Sequence, residues 1–183
     1  MRLFTAIELP DAVKRQIDAL TPPDRVLVAP RPEQRHLTLT FFGEIPAARL
    51  AEFRAALRRV RVTPFQLRLD GSGCFPATTH PRVFWCGVAT NHELSELKNR
   101  IDVAAAPLMP PSDIREFIPH ITLFRFKSRP AADLLARLST IYRTLTATTF
   151  PVAEFMLLAS NLTPQGAIHT VMERFPAASA TNR

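Results

Sequence analysis

Apolar and polar positions change their period along this chain of 183 residues. One-by-one alternation predicts a strand, because successive strand side chains point to opposite faces, and recurrence every three to four residues predicts a helix. Residues 2–9 alternate as a strand. Pro10 then opens a helix with Asp11 in its first turn, which suits the helix dipole, and Val13, Ile17 and Leu20 form its apolar stripe. Thr21-Pro22-Pro23 ends it, a short strand follows over 26–29, and Pro30-Arg31-Pro32 turns the chain toward a strand beginning at His36. Gly43-Glu44-Ile45-Pro46 leads into a helix carrying Leu50, Phe53, Leu57 and Val60 inward. Strands are predicted over 64–70 and 82–89, with Gly71-Ser72-Gly73 as a turn or bulge and a proline-flanked loop between them. Asn91 is the expected N-cap of a helix with Leu94, Leu97 and Ile101 inward, closed by Pro107, Pro110 and Pro111. A loop over 112–118 delivers the chain to a strand at His120; a helix over 130–142 carries Leu134, Leu135, Leu138 and Ile141 inward. Strands over 152–159 and 167–175 flank a turn at 161–166, and the tail from Pro176 is expected to fray.

Strands and helices thus alternate twice. The strands are half polar, which favours antiparallel sheets with one face buried over a doubly wound parallel sheet. The expected fold is α+β: one domain over residues 1–183, built of two pseudo-symmetric lobes, each an antiparallel sheet with helices outside, around a cleft.

Two strands are nearly the same stretch. His36-Leu37-Thr38-Leu39-Thr40-Phe41 and His120-Ile121-Thr122-Leu123-Phe124-Arg125 lie 84 residues apart, close to half the chain. Alternation puts His36, Thr38 and Thr40 on one face with Leu37, Leu39 and Phe41 on the other, and groups His120 with Thr122 opposite Ile121 and Leu123. One His-x-Thr strand is ordinarily a structural pair; two in matching surroundings predict a shared cleft. Imidazoles titrate near neutrality, so one can take a proton while the other gives one, and each threonine hydroxyl can donate to a phosphate oxygen. Displacement at phosphorus needs such a pair on opposite sides of the phosphate, with no cofactor and no metal.

Composition narrows the classes. With 5 glycines against 17 prolines, the chain has no phosphate-cradling glycine loop. The usual metal-ligand spacings are also missing. No apolar run approaches the roughly 18–20 residues of a membrane span, and the N-terminal stretch lacks a signal-peptide pattern. Cys74 and Cys86 are expected as buried free thiols in a reducing cytoplasm. A net charge of +7 favours an anionic partner; Arg49, Arg54, Arg58, Arg59 and Arg61 crowd one segment, while Arg25, Arg31 and Arg35 lead up to His36. His80, His92 and His169 are read as surface or structural residues.

Nearly the whole chain resembles the 2H phosphoesterase superfamily, and most closely the RNA 2′,3′-cyclic phosphodiesterases first described as 2′-5′ RNA ligases. The resemblance runs from the Arg-Leu-Phe opening and Ile7-Glu8-Leu9-Pro10 through His36-Leu37-Thr38-Leu39 into Phe42-Gly43-Glu44. It continues with Phe75-Pro76 and Arg82-Val83-Phe84-Trp85 to Pro119-His120-Ile121-Thr122-Leu123 and Arg125. It implies a metal-independent hydrolase, a monomer acting on RNA ends, that opens a terminal 2′,3′-cyclic phosphate to a 2′-phosphate and can run a related ligation in reverse. It also implies His36 as proton donor, His120 as proton acceptor, Thr38 and Thr122 holding the phosphate, and Arg125 binding substrate. The residues alone do not distinguish donor from acceptor, since the two strands are nearly equivalent. Alternation sets Arg125 opposite His120 unless the strand bulges. Ile118 stands where relatives often carry arginine, and His169 where tyrosine is common. A phosphodiesterase for 2′-5′ oligonucleotides or a small cyclic phosphate, and a non-catalytic RNA-end binder, are the competing readings.

Overall fold

The structure, a computed structural model, describes residues 1–109, 116–163 and 166–177. The strands are β1 (Arg2–Glu8), β2 (Leu27–Val28), β3 (His36–Glu44), β4 (Phe65–Phe75), β5 (Val83–Val88), β6 (His120–Phe126), β7 (Thr149–Val152), β8 (Glu154–Thr163) and β9 (Gly166–Pro176). The helices are α1 (Asp11–Ala19), α2 (Leu50–Leu57), α3 (His92–Ala105) and α4 (Ala132–Tyr142). The α+β class and antiparallel pairing expected from the sequence are what the chain adopts. Strand order is β7-β4-β5-β6-β3-β1-β8-β9, with β2 beside β6, and every pairing is antiparallel.

The sheet is one continuous path, but its two halves meet narrowly. β3 and β6 share a single register pair, Leu37 with Ile121. On one side of this seam lie β6, β5, β4 and β7; on the other lie β3, β1, β8 and β9.

One face of the sheet carries the main core. Val13 and Ile17 of α1, Phe53 and Leu57 of α2, Leu94, Leu97 and Ile101 of α3, and Leu134, Leu138 and Tyr142 of α4 belong to one buried cluster. The same cluster takes Leu37 and Leu39 of β3, Ile121 and Leu123 of β6, and Phe155 and Leu157 of β8. Burying such a side chain fully is worth about 1.5–3 kcal/mol, so this face fixes which way each strand is turned. Asn91 caps α3 as expected, its Oδ1 accepting from the Leu94 N–H at 2.8 Å. Cys86 is buried and Cys74 half-buried, both as free thiols, and burial pushes the Cys86 thiol up to about 12.

One local expectation is made definite and two change. The Gly71-Ser72-Gly73 stretch is a bulge inside β4, with pairing to β5 shifted between Leu69 and Ser72 and Gly71 at φ 68°. β7 pairs along the far edge of β4, where the sequence offered only four residues interrupted by Pro151. β8 and β9 run on to Thr163 and Gly166, which shortens the turn between them. The rest of that turn, Pro110, Pro111, the loop up to residue 115 and the tail beyond 177 lie outside the described residues.

Candidate active site

The seam between the half-sheets places the two motifs. Leu37 and Ile121 are fully buried, so their strand neighbours point to the opposite, helix-free face. In an antiparallel pair the flanking residues fall opposite one another, Thr38 toward His120 and His36 toward Thr122. The four polar side chains therefore surround one apolar pair in approximate two-fold symmetry. Diagonal neighbours in such a pair are about 7–8 Å apart, which leaves room for a phosphate between the imidazoles.

Each imidazole is oriented by the same device. His36 Nδ1 lies 2.7 Å from the Gln34 carbonyl oxygen, and His120 Nδ1 lies 2.8 Å from that of Ile118. A carbonyl only accepts, so each Nδ1 carries the hydrogen and donates it, which leaves Nε2 as the reacting nitrogen. The contact at residue 118 is made by backbone, so isoleucine there serves the tautomer as well as arginine would.

The surroundings of the two rings differ. His36 packs against Phe4, with centroids 5.1 Å apart, and against the edge of His169 at 5.2 Å. His120 sits between Phe75 at 4.8 Å and Trp85 at 5.9 Å. Trp85 lies across Gly73, where a Cβ would come within 2.3 Å of the indole. Burial, helped by nearby His169 and His120, holds His36 down to about 4, against the pull of the Gln34 carbonyl. Burial also lowers His120, with the Ile118 carbonyl opposing it.

Two bulges correct the alternation read from sequence. In β3 the pairing with β1 shifts where Thr40 faces Thr5 but Thr38 faces Ala6, and again beside Phe42. Thr40 consequently leaves the histidine face and donates to Asp102 Oδ1 of α3 at 2.6 Å. Phe41 changes places with it: instead of joining Leu37 and Leu39 inside, it is 70% exposed, and Phe42 is the buried ring. In β6 the shift falls at Leu123, so Leu123 and Phe124 are both buried and Arg125 returns to the face of His120 and Thr122. Arg125 is near enough to His169 to help burial lower its pKa. His169, read as a surface or structural residue, thus stands beside His36. The signal in β6 was an apolar doublet, Leu123-Phe124, since two successive inward residues cannot fit a regular strand.

The arginine-rich segment before residue 62 does not serve the cleft as a block. Arg54 and Arg58 both grip Glu173, at 2.5 and 2.6 Å, tying α2 to β9, and Arg49 bonds Glu52 and the Leu108 carbonyl. Arg35 is buried, paired with Asp18 at 2.5 Å, and anchors the entry to β3 against α1. His80 and His92 are exposed, as expected. Among the described residues no three His, Cys, Asp or Glu side chains are grouped as metal ligands, and no helix is long and apolar enough to cross a membrane.

A helix-backed antiparallel sheet presenting two His-x-Thr strands on its open face defines a 2H phosphoesterase. Residues 9–163 match the 2′-5′ RNA ligase superfamily, and the chain belongs to that family of enzymes. It is 32% identical over 181 residues to the RNA 2′,3′-cyclic phosphodiesterase of Methanothermobacter thermautotrophicus, covering 96% of this chain and 98% of that one. The crystal structure of Thermus thermophilus TT0787 superposes with a TM-score of 0.81 at 33% identity, covering 96% and 97% of the two chains. That of E. coli LigT complexed with 3′-AMP does so with 0.77 at 27% identity, covering 97% and 98%.

Proposed function

We propose that this protein hydrolyses the terminal 2′,3′-cyclic phosphate of RNA to a 2′-phosphomonoester, with His36 and His120 as a metal-independent acid–base pair. The observation that carries this reading is the seam: two imidazoles with Nδ1 tied back stand diagonally about one buried residue pair, each beside a threonine hydroxyl. The similarity to the Methanothermobacter phosphodiesterase supports the choice of substrate.

In the proposed reaction a water attacks phosphorus in line with the P–O3′ bond. His120 Nε2 takes the water proton as the new P–O bond forms. His36 Nε2–H protonates O3′ as P–O3′ breaks, leaving a 3′-hydroxyl and a 2′-phosphate. Thr38 and Thr122 donate to the non-bridging oxygens, and Arg125 offsets charge that accumulates there. Because His36 is held down to about 4 in the free protein, it takes its proton from solvent when the anionic phosphate binds, whose charge raises its affinity for protons. A 5′-hydroxyl in place of the water gives 2′-5′ ligation by the same transfers.

The test is a product analysis in EDTA on three substrates: a short RNA ending in 2′,3′-cyclic phosphate, a 2′-5′-linked oligonucleotide and a cyclic phosphate of ADP-ribose. The reading predicts a 2′-phosphate-ended RNA as the main product. Turnover of only one of the other two would move the substrate class, and binding without turnover would make the protein an RNA-end binder. Activity lost in EDTA and restored by Mg²⁺ or Zn²⁺ would overturn the metal-independent scheme.

A further inference from the structure

His169 is an imidazole that the reaction above does not use. It lies on β9, half-buried, with Ser160 of β8 as its cross-strand partner. Its ring stands edge-to-face with that of His36, centroids 5.2 Å apart and planes at 86°, and lies 5.0 Å from Phe4. The two nitrogens have unlike surroundings. Among the described residues neither has a hydrogen-bond partner, but Nδ1 is buried and Nε2 is not. A buried N–H without an acceptor is costly, so the hydrogen of a neutral His169 belongs on Nε2. The same reasoning separates the two neighbouring rings. An imidazolium carries a hydrogen on both nitrogens, and His36 has the Gln34 carbonyl for its Nδ1–H. His169 has no such acceptor, so His36 is the ring built to hold a proton. Burial, and then Arg125 on β6, hold the proton affinity of His169 down, and His36 on β3 opposes a second charge beside its own.

We propose that His169, as a neutral imidazole, donates its Nε2–H to a non-bridging oxygen of the substrate phosphate. The proposal rests on the reading of the site above, with His36 as proton donor to O3′. In a 2′,3′-cyclic ester the last ribose keeps no free hydroxyl. The acceptors next to O3′ are therefore the other oxygens on phosphorus, and the negative charge sits on the two non-bridging ones. An N–H on a ring 5.2 Å from that of the acid is within reach of them. Thr38 and Thr122 supply one hydroxyl each; His169 adds a third donor, beside the leaving oxygen. No proton passes to or from it: His169 holds the phosphate while His36 gives a proton and His120 takes one.

The test compares His169→Phe, which keeps a ring and removes the donor, with His169→Gln, whose amide sets an N–H where Nε2–H stands. On a short RNA ending in 2′,3′-cyclic phosphate, His169→Phe should lower kcat/KM about 10- to 150-fold, the worth of one hydrogen bond to a charged group. His169→Gln should stay close to the wild type. Its pH bell should also coincide with that of the wild type, since a neutral donor adds no titrating group. Cyclic phosphorothioates give a readout that packing alone would not move. Each diastereomer sets sulfur, a poor acceptor, at one non-bridging position, and His169→Phe should shrink the rate penalty of one diastereomer only. Melting temperatures verify that the variants fold. A last readout needs neither variant nor turnover: in ¹⁵N spectra of the wild type titrated with inorganic phosphate, His169 should stay neutral with Nε2 protonated while His36 becomes imidazolium. That pattern without hydrolysis of the cyclic ester would defeat the phosphodiesterase reading while sustaining the donor. Wild-type rates in His169→Phe, equal losses in both variants, unchanged penalties for both diastereomers, or an imidazolium at His169 with phosphate bound would overturn it. So would a bell moved to higher pH in His169→Gln, because His169 would then act on His36 through its charge.

Discussion

The two motif strands share a device and differ in their setting. On both sides a histidine opens a strand, ties Nδ1 to the carbonyl two residues earlier, and stands two residues before a threonine. On one side, however, His36 is sunk between Phe4 and a third imidazole, His169, while His120 sits between Phe75 and Trp85. The repeated device leaves Nε2 of each ring as the free nitrogen; burial lowers the proton affinity of both and holds His36 at about 4. At about 4, His36 is neutral near pH 7 in the free protein, so the proposed donor role requires the bound anionic substrate to raise its proton affinity. In the proposed scheme the division of labour is therefore a property of the complex.

The largest expected effect removes either half. His36→Ala and His120→Ala should each lower turnover by at least the 10²- to 10⁴-fold typical of one acid or base, with the fold retained by circular dichroism. The double variant should lose less than the product of the two, because groups acting as one unit are not additive. Next comes an effect on stability that belongs to the His36 half. A histidine neutral in the fold down to about 4 but protonated from about 6.5 when unfolded lets the unfolded chain bind the extra proton. Unfolding free energy should thus be full above pH 6.5 and fall by up to about 3 kcal/mol as pH drops to 4. Urea titrations across this range should show a shallower fall in His36→Gln; an unchanged slope would place the acid sensitivity elsewhere.

Smaller again are the hydroxyls. Thr38→Ala and Thr122→Ala should each cost about 10- to 150-fold in kcat, the worth of one hydrogen bond to a charged group, and less than the histidine on the same strand. The finest distinction lies in pH profiles. Because burial lowers both histidines in the free protein, the bell in kcat/KM should centre on the acid side of 6.5. The bell in kcat should lie at higher pH, since the bound phosphate anion favours both imidazolium forms. Coincident bells would mean that the substrate charge does not reach the histidines.

The His-x-Thr repeat, the α+β class and the helix faces were legible because each rests on local periodicity against one large core. Asn91 announced α3, and the alternation around Leu37 and Ile121 announced which residues point away from the helices. What stayed hidden depends on pairing. Strand parity assigned Thr40 to the cleft and Phe41 to the core, and bulges opposite β1 reverse both. A bulge opposite β5 likewise carries Arg125 onto the histidine face. His169 is 49 residues beyond His120, and only the β1–β8–β9 register brings it beside His36. In the basic run before residue 62, the partner of Arg54 and Arg58 was hidden for a related reason: Glu173 is far along the chain, on β9.

The sharpest measurement makes the acid unnecessary. An RNA-like phosphodiester with a far better leaving group, such as a nitrophenyl ester, does not need its departing oxygen protonated. On it, His36→Ala should recover most of the turnover lost on the natural ester, while His120→Ala stays impaired because the nucleophile still needs its base. Recovery of His120→Ala alone would reverse the two roles, and near-normal rates in both variants on the natural ester would remove the histidine pair from the chemistry.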